Sequence, residues 1–285
     1  MKKEQIIIRV IVFIIVFASN SKSFSQMNSK NENFSIDKQI VIDSCVMSLQ
    51  YKMSSVADVK KPDKIRINFM LLQIGKKTSK FSDIKKLQID SILQIQYKQK
   101  KSFIEVMSST QSLGKGSTDL NIFKNYPKEK TTVTNFIPFV GSLRYSEEKE
   151  KIIWKMEIGE SKICGYSCKK ATTKLRGRNY TAWYTEKIPI SDGPWKFWGL
   201  PGIILKVIDE KGHYSFECES IQKLKQNKPI YILDKKYINT TRQKYNETMK
   251  KFFDNPKAYI EASGTIKGET PNISSLPYNP IELSE

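Results

Sequence analysis

The sequence predicts an α+β protein: a large curved antiparallel β-sheet with one or two helices packed on its concave face. Three observations lead there. Runs that alternate apolar with polar residues recur from Lys38 to Ile221, separated by turn formers. Two of those separators, Arg176-Gly177-Arg178-Asn179 and Asp209-Glu210-Lys211-Gly212, join such runs as hairpins. Helical spacing of apolar residues is confined to a stretch after Ser82-Asp83 and another over Thr241–Phe253.

Taken in order, residues 1–25 read as a signal peptide. Lys2, Lys3 and Arg9 precede the apolar stretch Val10–Ala18, and Ser23-Phe24-Ser25 offers small side chains to a signal peptidase cutting near Gln26. About ten apolar residues are too few to cross a hydrocarbon core of about 30 Å. Residues 26–37 are polar and aperiodic, a flexible linker. Residues 38–285 then make a single β-rich domain, within the roughly 250–300 residues one core supports.

Lys38–Lys52 has extended patterning. In the next strand Ile65, Ile67, Phe69 and Leu71 alternate with Arg66, Asn68, Met70 and Leu72, which points to a strongly buried face. Ser82-Asp83 caps a helix carrying Ile84, Leu87, Ser91 and Ile95 on one side. Residues 108–118 have loop composition. Leu120–Lys124 and Thr131–Phe136 flank the turn Asn125-Tyr126-Pro127-Lys128. Ile152, Trp154, Met156 and Ile158 alternate with Ile153, Lys155 and Glu157. Cys168–Leu175 pairs with Tyr180–Thr185, and Ile203–Ile208 with His213–Ile221. Tyr245, Met249 and Phe252 mark the last helix.

Charge and composition remove several function classes. The chain has 285 residues and a formal net charge of +19, of which +16 remains after the leader is removed (44 basic against 28 acidic residues). Six of the 48 basic residues are arginine, the side chain that makes bidentate contacts to bases and phosphates, so no nucleic-acid partner is expected. A single histidine excludes mechanisms that need two imidazoles. No interior apolar run reaches transmembrane length.

One segment carries a resemblance. Gly199-Leu200-Pro201-Gly202-Ile203-Ile204, preceded by Ile188-Pro189-Ile190-Ser191-Asp192-Gly193-Pro194, resembles the signature of the GLPGLI family of exported bacterial proteins, with Ile203-Ile204 standing for its Leu-Ile. The likeness continues through Gly165–Thr172, Arg176-Gly177-Arg178, Ala182-Trp183-Tyr184-Thr185 and Asn279-Pro280-Ile281-Glu282-Leu283, and upstream in Asn125-Tyr126-Pro127. It implies an exported envelope protein without an assigned activity and brings no catalytic residues. Physically, Leu200-Pro201-Gly202-Ile203 reads as a type II turn with positive φ at Gly202, and Asp192-Gly193-Pro194 as a second bend. Gly193, Pro194, Gly199, Pro201 and Gly202 are therefore structural turn residues.

The candidate ligand-binding residues lie around those turns. Trp195, Phe197 and Trp198 sit in a loop and are expected to form an apolar platform for an acyl chain, a peptide or a glycan. The alternative is that they plug the open end of the sheet. Arg176 and Arg178 could grip a carboxylate or phosphate, and Asp192 is a candidate acid. Cys45, Cys164, Cys168 and Cys218 are an even set in an oxidising compartment, so disulfides joining strands are expected. No catalytic residue, metal or cofactor is assigned. The resulting expectation is a periplasmic or outer-membrane-associated protein that binds an apolar or amphipathic small molecule, peptide or envelope protein without catalysis. A carboxylate-dependent hydrolase using Asp192, or a metal protein using Cys164, Cys168, His213 and Cys218, are the alternatives.

Overall fold

The computed structural model describes residues 36–111, 113, 118–264 and 273–283. The expected leader (1–25) and residues 26–35 of the expected linker lie outside them. Twelve strands form one sheet among the described residues: β1 (Lys38–Val56), β2 (Ile65–Gly75), β3 (Ser79–Asp83), β4 (Asn121–Lys124), β5 (Lys130–Ile137), β6 (Gly141–Glu148), β7 (Lys155–Ile163), β8 (Tyr166–Leu175), β9 (Arg178–Thr185), β10 (Ile203–Asp209), β11 (Tyr214–Asp234) and β12 (Ile238–Asn239). Their order across the sheet is β12-β6-β5-β4-β3-β2-β1-β11-β10-β9-β8-β7. All neighbours are antiparallel except the parallel pair β12–β6. Among the described residues four helices accompany it: α1 (Ile84–Lys98), α2 (Phe103–Gln111), α3 (Arg242–Asp254) and α4 (Pro256–Ser263). The α+β expectation with a large antiparallel sheet holds, with more helices than the one or two expected.

Local chemistry accounts for the element boundaries. Asp83 accepts a hydrogen bond from Lys86 N at 3.2 Å and starts α1. Thr241 does the same for Lys244 N in α3. The β8–β9 hairpin turns on just Arg176 and Gly177, both at positive φ, with Leu175 paired to Arg178. In the β10–β11 hairpin Gly212 N donates to Asp209 O and Tyr214 N to the Asp209 carboxylate.

The sheet curls tightly. Phe81 on β3 and Phe216 on β11 lie three places apart in strand order, which in a flat sheet would separate them by about 14 Å. Their ring centroids are 6.1 Å apart. Tyr51 on β1 likewise donates to Ile204 O on β10, two strands away, at 2.7 Å. Inside the curl lie Leu49, Tyr51, Met70, Leu72, Phe81, Ile122, Tyr180 and Phe216. On β2 the buried set is Met70, Leu72 and Ile74, while Ile65, Ile67 and Phe69 are exposed. The buried parity is opposite to that expected: β3 covers β2 only from Met70 onward, which leaves Ile65–Phe69 exposed, and within the covered part Met70, Leu72 and Ile74 face the core.

The segment between β9 and β10 corrects the expected platform. Trp195 and Phe197 are buried, Phe197 completely. Phe197 meets Tyr180 at 4.8 Å, Trp195 at 5.2 Å, Trp154 at 6.3 Å and Phe216 at 6.4 Å between ring centroids. A loop can bury such rings here because its backbone is tied down. Ile203 N donates to Ile188 O and Ile204 N to Asp192 O, folding the segment back onto the start of β10.

Gly202 is also not the positive-φ residue of a type II turn; in this segment Gly199 takes positive φ. Gly202 is required for space, since a Cβ there would stand 2.1 Å from Thr185 O. Gly202→Ala is therefore expected to cost about 3 kcal/mol, the upper range for overpacking. Gly212→Ala, where φ is +66° but nothing lies within 4 Å, should cost only about 1 kcal/mol of left-handed strain. Urea-denaturation midpoints of the two variants test the ranking, and equal losses would refute the steric account.

Candidate functional site

The predicted site residues separate into a buried set and a rim set. Asp192 is buried and is the counter-ion of Lys124 on β4. Lys124 Nζ also donates to Gly193 O at 2.5 Å and Phe197 O at 3.5 Å. Burial pushes the Lys124 ammonium below its ordinary pKa, and the charge of Asp192 opposes that push. Asp192 thus anchors the loop and does not present an acid to a substrate.

Arg178 is buried as well. Its guanidinium reaches Asp209 at 3.0 Å, Asn279 Oδ1 at 2.7 Å, Pro280 O at 2.6 Å and Ile281 O at 3.1 Å. Every one of these acceptors belongs to the protein, so Arg178 holds the C-terminal segment and is not aimed at a ligand.

The four cysteines are free thiols. Each Sγ points at a backbone carbonyl: Cys45 at Met47 O, Cys164 at Cys218 O, Cys168 at Tyr166 O and Cys218 at Ser220 O. The expected disulfides are therefore not present. Burial raises the thiol pKa of Cys45, Cys168 and Cys218, which keeps them protonated. Among the described residues no group of three or more His, Cys, Asp or Glu side chains is placed to hold a metal ion. No helix among them is long and apolar enough to cross a membrane.

The rim set is Arg176 and Trp198, which the structure does bring together. They line a cleft of about 20 Å³ with Glu147, Glu150, Ile152 and Lys196. Trp198 is half-buried; its indole N–H donates to Glu150 O at 2.9 Å, and the Lys149 ammonium stands 3.7 Å from its ring centroid. Arg176 pairs with Glu150 at 2.7 Å and Glu147 at 3.3 Å. Lys196 pairs with Glu147 at 2.5 Å and Glu282 at 2.6 Å. Arg242 on α3 closes the lattice, 3.1 Å from Glu147 and 3.4 Å from Glu282.

Glu147, Glu150, Lys196, Arg242 and Glu282 are not among the candidate site residues read from the sequence, although Glu282 falls in the C-terminal stretch of the family likeness. The one available signal was Lys196 itself, a lysine set between Trp195 and Phe197, which must find anions if its neighbours are buried.

Comparisons with known proteins add the following. Residues 175–206 match a family model described as "Protein of unknown function (Porph_ging)". That stretch runs from the β8–β9 turn through Arg176 and Trp198 to the start of β10. No curated protein matches the chain. Two solved structures, titled "Structure of PNGF-II in P21 space group" and "Structure of PNGF-II in C2 space group", are similar at 18% identity and a TM-score of 0.45, and they cover 72% and 73% of this chain. The chain spans a third of the length of those structures (33%).

The lattice has a pH signature. Burial alone would raise the Glu282 carboxyl, but the charges of Lys196, Arg242 and Arg176 outweigh it and hold the group below its usual 4.5. A depressed folded pKa contributes stability above the ordinary value and loses it as pH falls through the folded one. Thermal melts should therefore fall below about pH 4.5 more steeply for the wild type than for Glu282→Gln. Parallel curves for the two proteins would show that Glu282 carries no net stabilisation.

Proposed function

We propose that this is an exported envelope protein acting as a binding module, and that its ligand is an amphipathic glycan stacked on the accessible part of the Trp198 indole, outside the small cleft. One observation carries the reading. Trp198 is the ring of the aromatic run that stays at the surface, and it lies beside paired charges that offer donors and acceptors in fixed directions. An aromatic face with a few oriented polar groups suits a sugar, whose ring has an apolar face and a rim of hydroxyls. An acyl chain would require far more apolar wall than one half-buried indole provides.

Export is supported by the charged, apolar and small-residue order of residues 1–25, and by the likeness of residues 188–204 to the GLPGLI signature. The match to a family of unknown function is compatible with an envelope role. Lys149, which rests on the indole, has its ammonium pKa lowered by desolvation. A sugar ring displacing it would return that amine to water.

Two measurements test the reading. A panel of envelope oligosaccharides, followed by titration calorimetry on any that bind, should show Trp198→Ala weakening affinity at least about tenfold, or about 1.4 kcal/mol. Arg176→Ala should weaken it by a smaller factor, because Arg176 is also held by two glutamates. Binding that survives Trp198→Ala, or none to any glycan, sinks the ligand assignment. Separately, the mature protein should be recovered outside the cytoplasm with its N-terminus near Gln26, and an intact Met1 on cytoplasmic protein would end the export reading.

A further inference from the structure

A second cleft lies between β3, β4, β5, the end of β11 and α1. Lys80 on β3 is 2% exposed. Its ammonium donates to Tyr231 O at 3.1 Å and stands 4.1 Å from the Tyr231 ring centroid and 5.3 Å from that of Phe123. Among the described residues no carboxylate lies within ion-pairing distance of it. Lys86 on α1, in the same cleft, is fully engaged: it bridges Asp90 at 2.5 Å and Asp119 at 3.4 Å. Lys235 also lines the cleft and likewise pairs with no carboxylate among the described residues.

Lys80, Lys86 and Lys235 line the cleft with Asp90 and Asp119, and Asp37 acts on Lys235 and Lys86 from beside it; of the three ammonium groups, Lys80 and Lys235 form no ion pair among the described residues. The space is about 20 Å³, room for one small polar group. Asn121, Asn135 and Tyr237 add hydrogen-bonding groups to the wall. We propose that this cleft is a binding site for a small free carboxylate, whose oxygens take hydrogen bonds from Lys80 at the base and Lys235 at the mouth.

The electrostatics support the geometry. Desolvation brings Lys80 down to about 8, because the attraction of Asp90 does not offset burial and Lys86 repels it. Desolvation lowers Lys235 too, against the attraction of Asp119, Asp37 and Asp90 and with repulsion from Lys86. Asp37, nearby, is itself disfavoured as an anion by burial. The Tyr231 and Tyr237 hydroxyls are raised by burial and stay neutral. An incoming carboxylate would therefore meet two desolvated ammonium groups that form no direct ion pair among the described residues, and its binding should favour their protonated forms.

The experiment is titration calorimetry of the full mature protein with acetate and with propionate at pH 7, against chloride at matched ionic strength, repeated at pH 9. Saturable binding of the carboxylates, weaker by tenfold or more at pH 9 and in Lys80→Met, is the expected result. Lys235→Gln should weaken binding several-fold, and Trp198→Ala should leave it unchanged, which separates this site from the glycan site. Binding matched by chloride, unaltered by Lys80→Met, or absent from the wild type overturns the proposal. If Lys80→Met does not fold by circular dichroism, the Lys235→Gln result decides: weakened binding upholds the site and unchanged binding removes it.

Discussion

The Lys124 ammonium is the constraint on which the interior depends. It sits on the short central strand β4, 3% exposed at its side chain, and its hydrogens go to Asp192, Gly193 O and Phe197 O. A charge that far from water is tolerated only with a counter-ion and further acceptors. Meeting that demand fixes three points of the loop between β9 and β10, and the loop then delivers Phe197 to the centre of the aromatic cluster. Because Phe197 fills the space between Tyr180, Trp154 and Phe216, the sheet can stay curled without a void. Removing either member of such a pair leaves an uncompensated buried charge, a loss of about 3–5 kcal/mol.

The C-terminal segment obeys the same logic through a second buried cation. Arg178 holds Asn279, Pro280 and Ile281 through hydrogen bonds to the segment, while Asn279 Nδ2 donates in turn to Val56 O at 2.8 Å. Glu282 then enters the lattice of Lys196 and Arg242. The rim cleft and its ion-pair lattice are thus assembled from β6 and the segment after it, the β8–β9 turn, the β9–β10 loop, α3 and the C-terminal segment, elements far apart in the chain. Its polar groups are cross-linked by ion pairs, so their directions are fixed within the protein.

Much of the fold was legible because it rests on local rules. The hairpins at Arg176-Gly177 and Asp209–Gly212 follow from turn chemistry, and the helix after Asp83 follows from its cap. Strand β6 was missed because Gly141–Glu148 alternates only weakly, with Arg144 and Ser146 among its members. Helix α2 was missed because Ser108, Ser109 and Thr110 read as loop formers, yet Ser109 and Thr110 hydroxyls bond back to Val106 O within the helix. Helix α4 starts on the Asn255 cap with Pro256 at its first position, a signal that was present and went unread. The site was less legible. Ring burial at 195–197, the pairing of Asp192 with Lys124 and the enclosure of Arg178 all depend on partners in other elements, up to 103 residues away, and composition alone cannot locate those.

Lys124 and Lys80 make an instructive pair. They lie on adjacent strands, with Ser79 beside Lys124 and Lys80 beside Phe123 in the register. Both ammonium groups are withdrawn from water by the same curled sheet, and both have depressed pKa values for that reason. The chain supplies Lys124 with a carboxylate from a loop it then depends on. It supplies Lys80 with one carbonyl and two aromatic faces, which soften a positive charge without neutralising it. If burying an ammonium served packing alone, a methionine or leucine at Lys80 would fill the same volume at lower cost. The asymmetry between the two neighbours is therefore the physical ground for assigning Lys124 to the architecture and Lys80 to recognition.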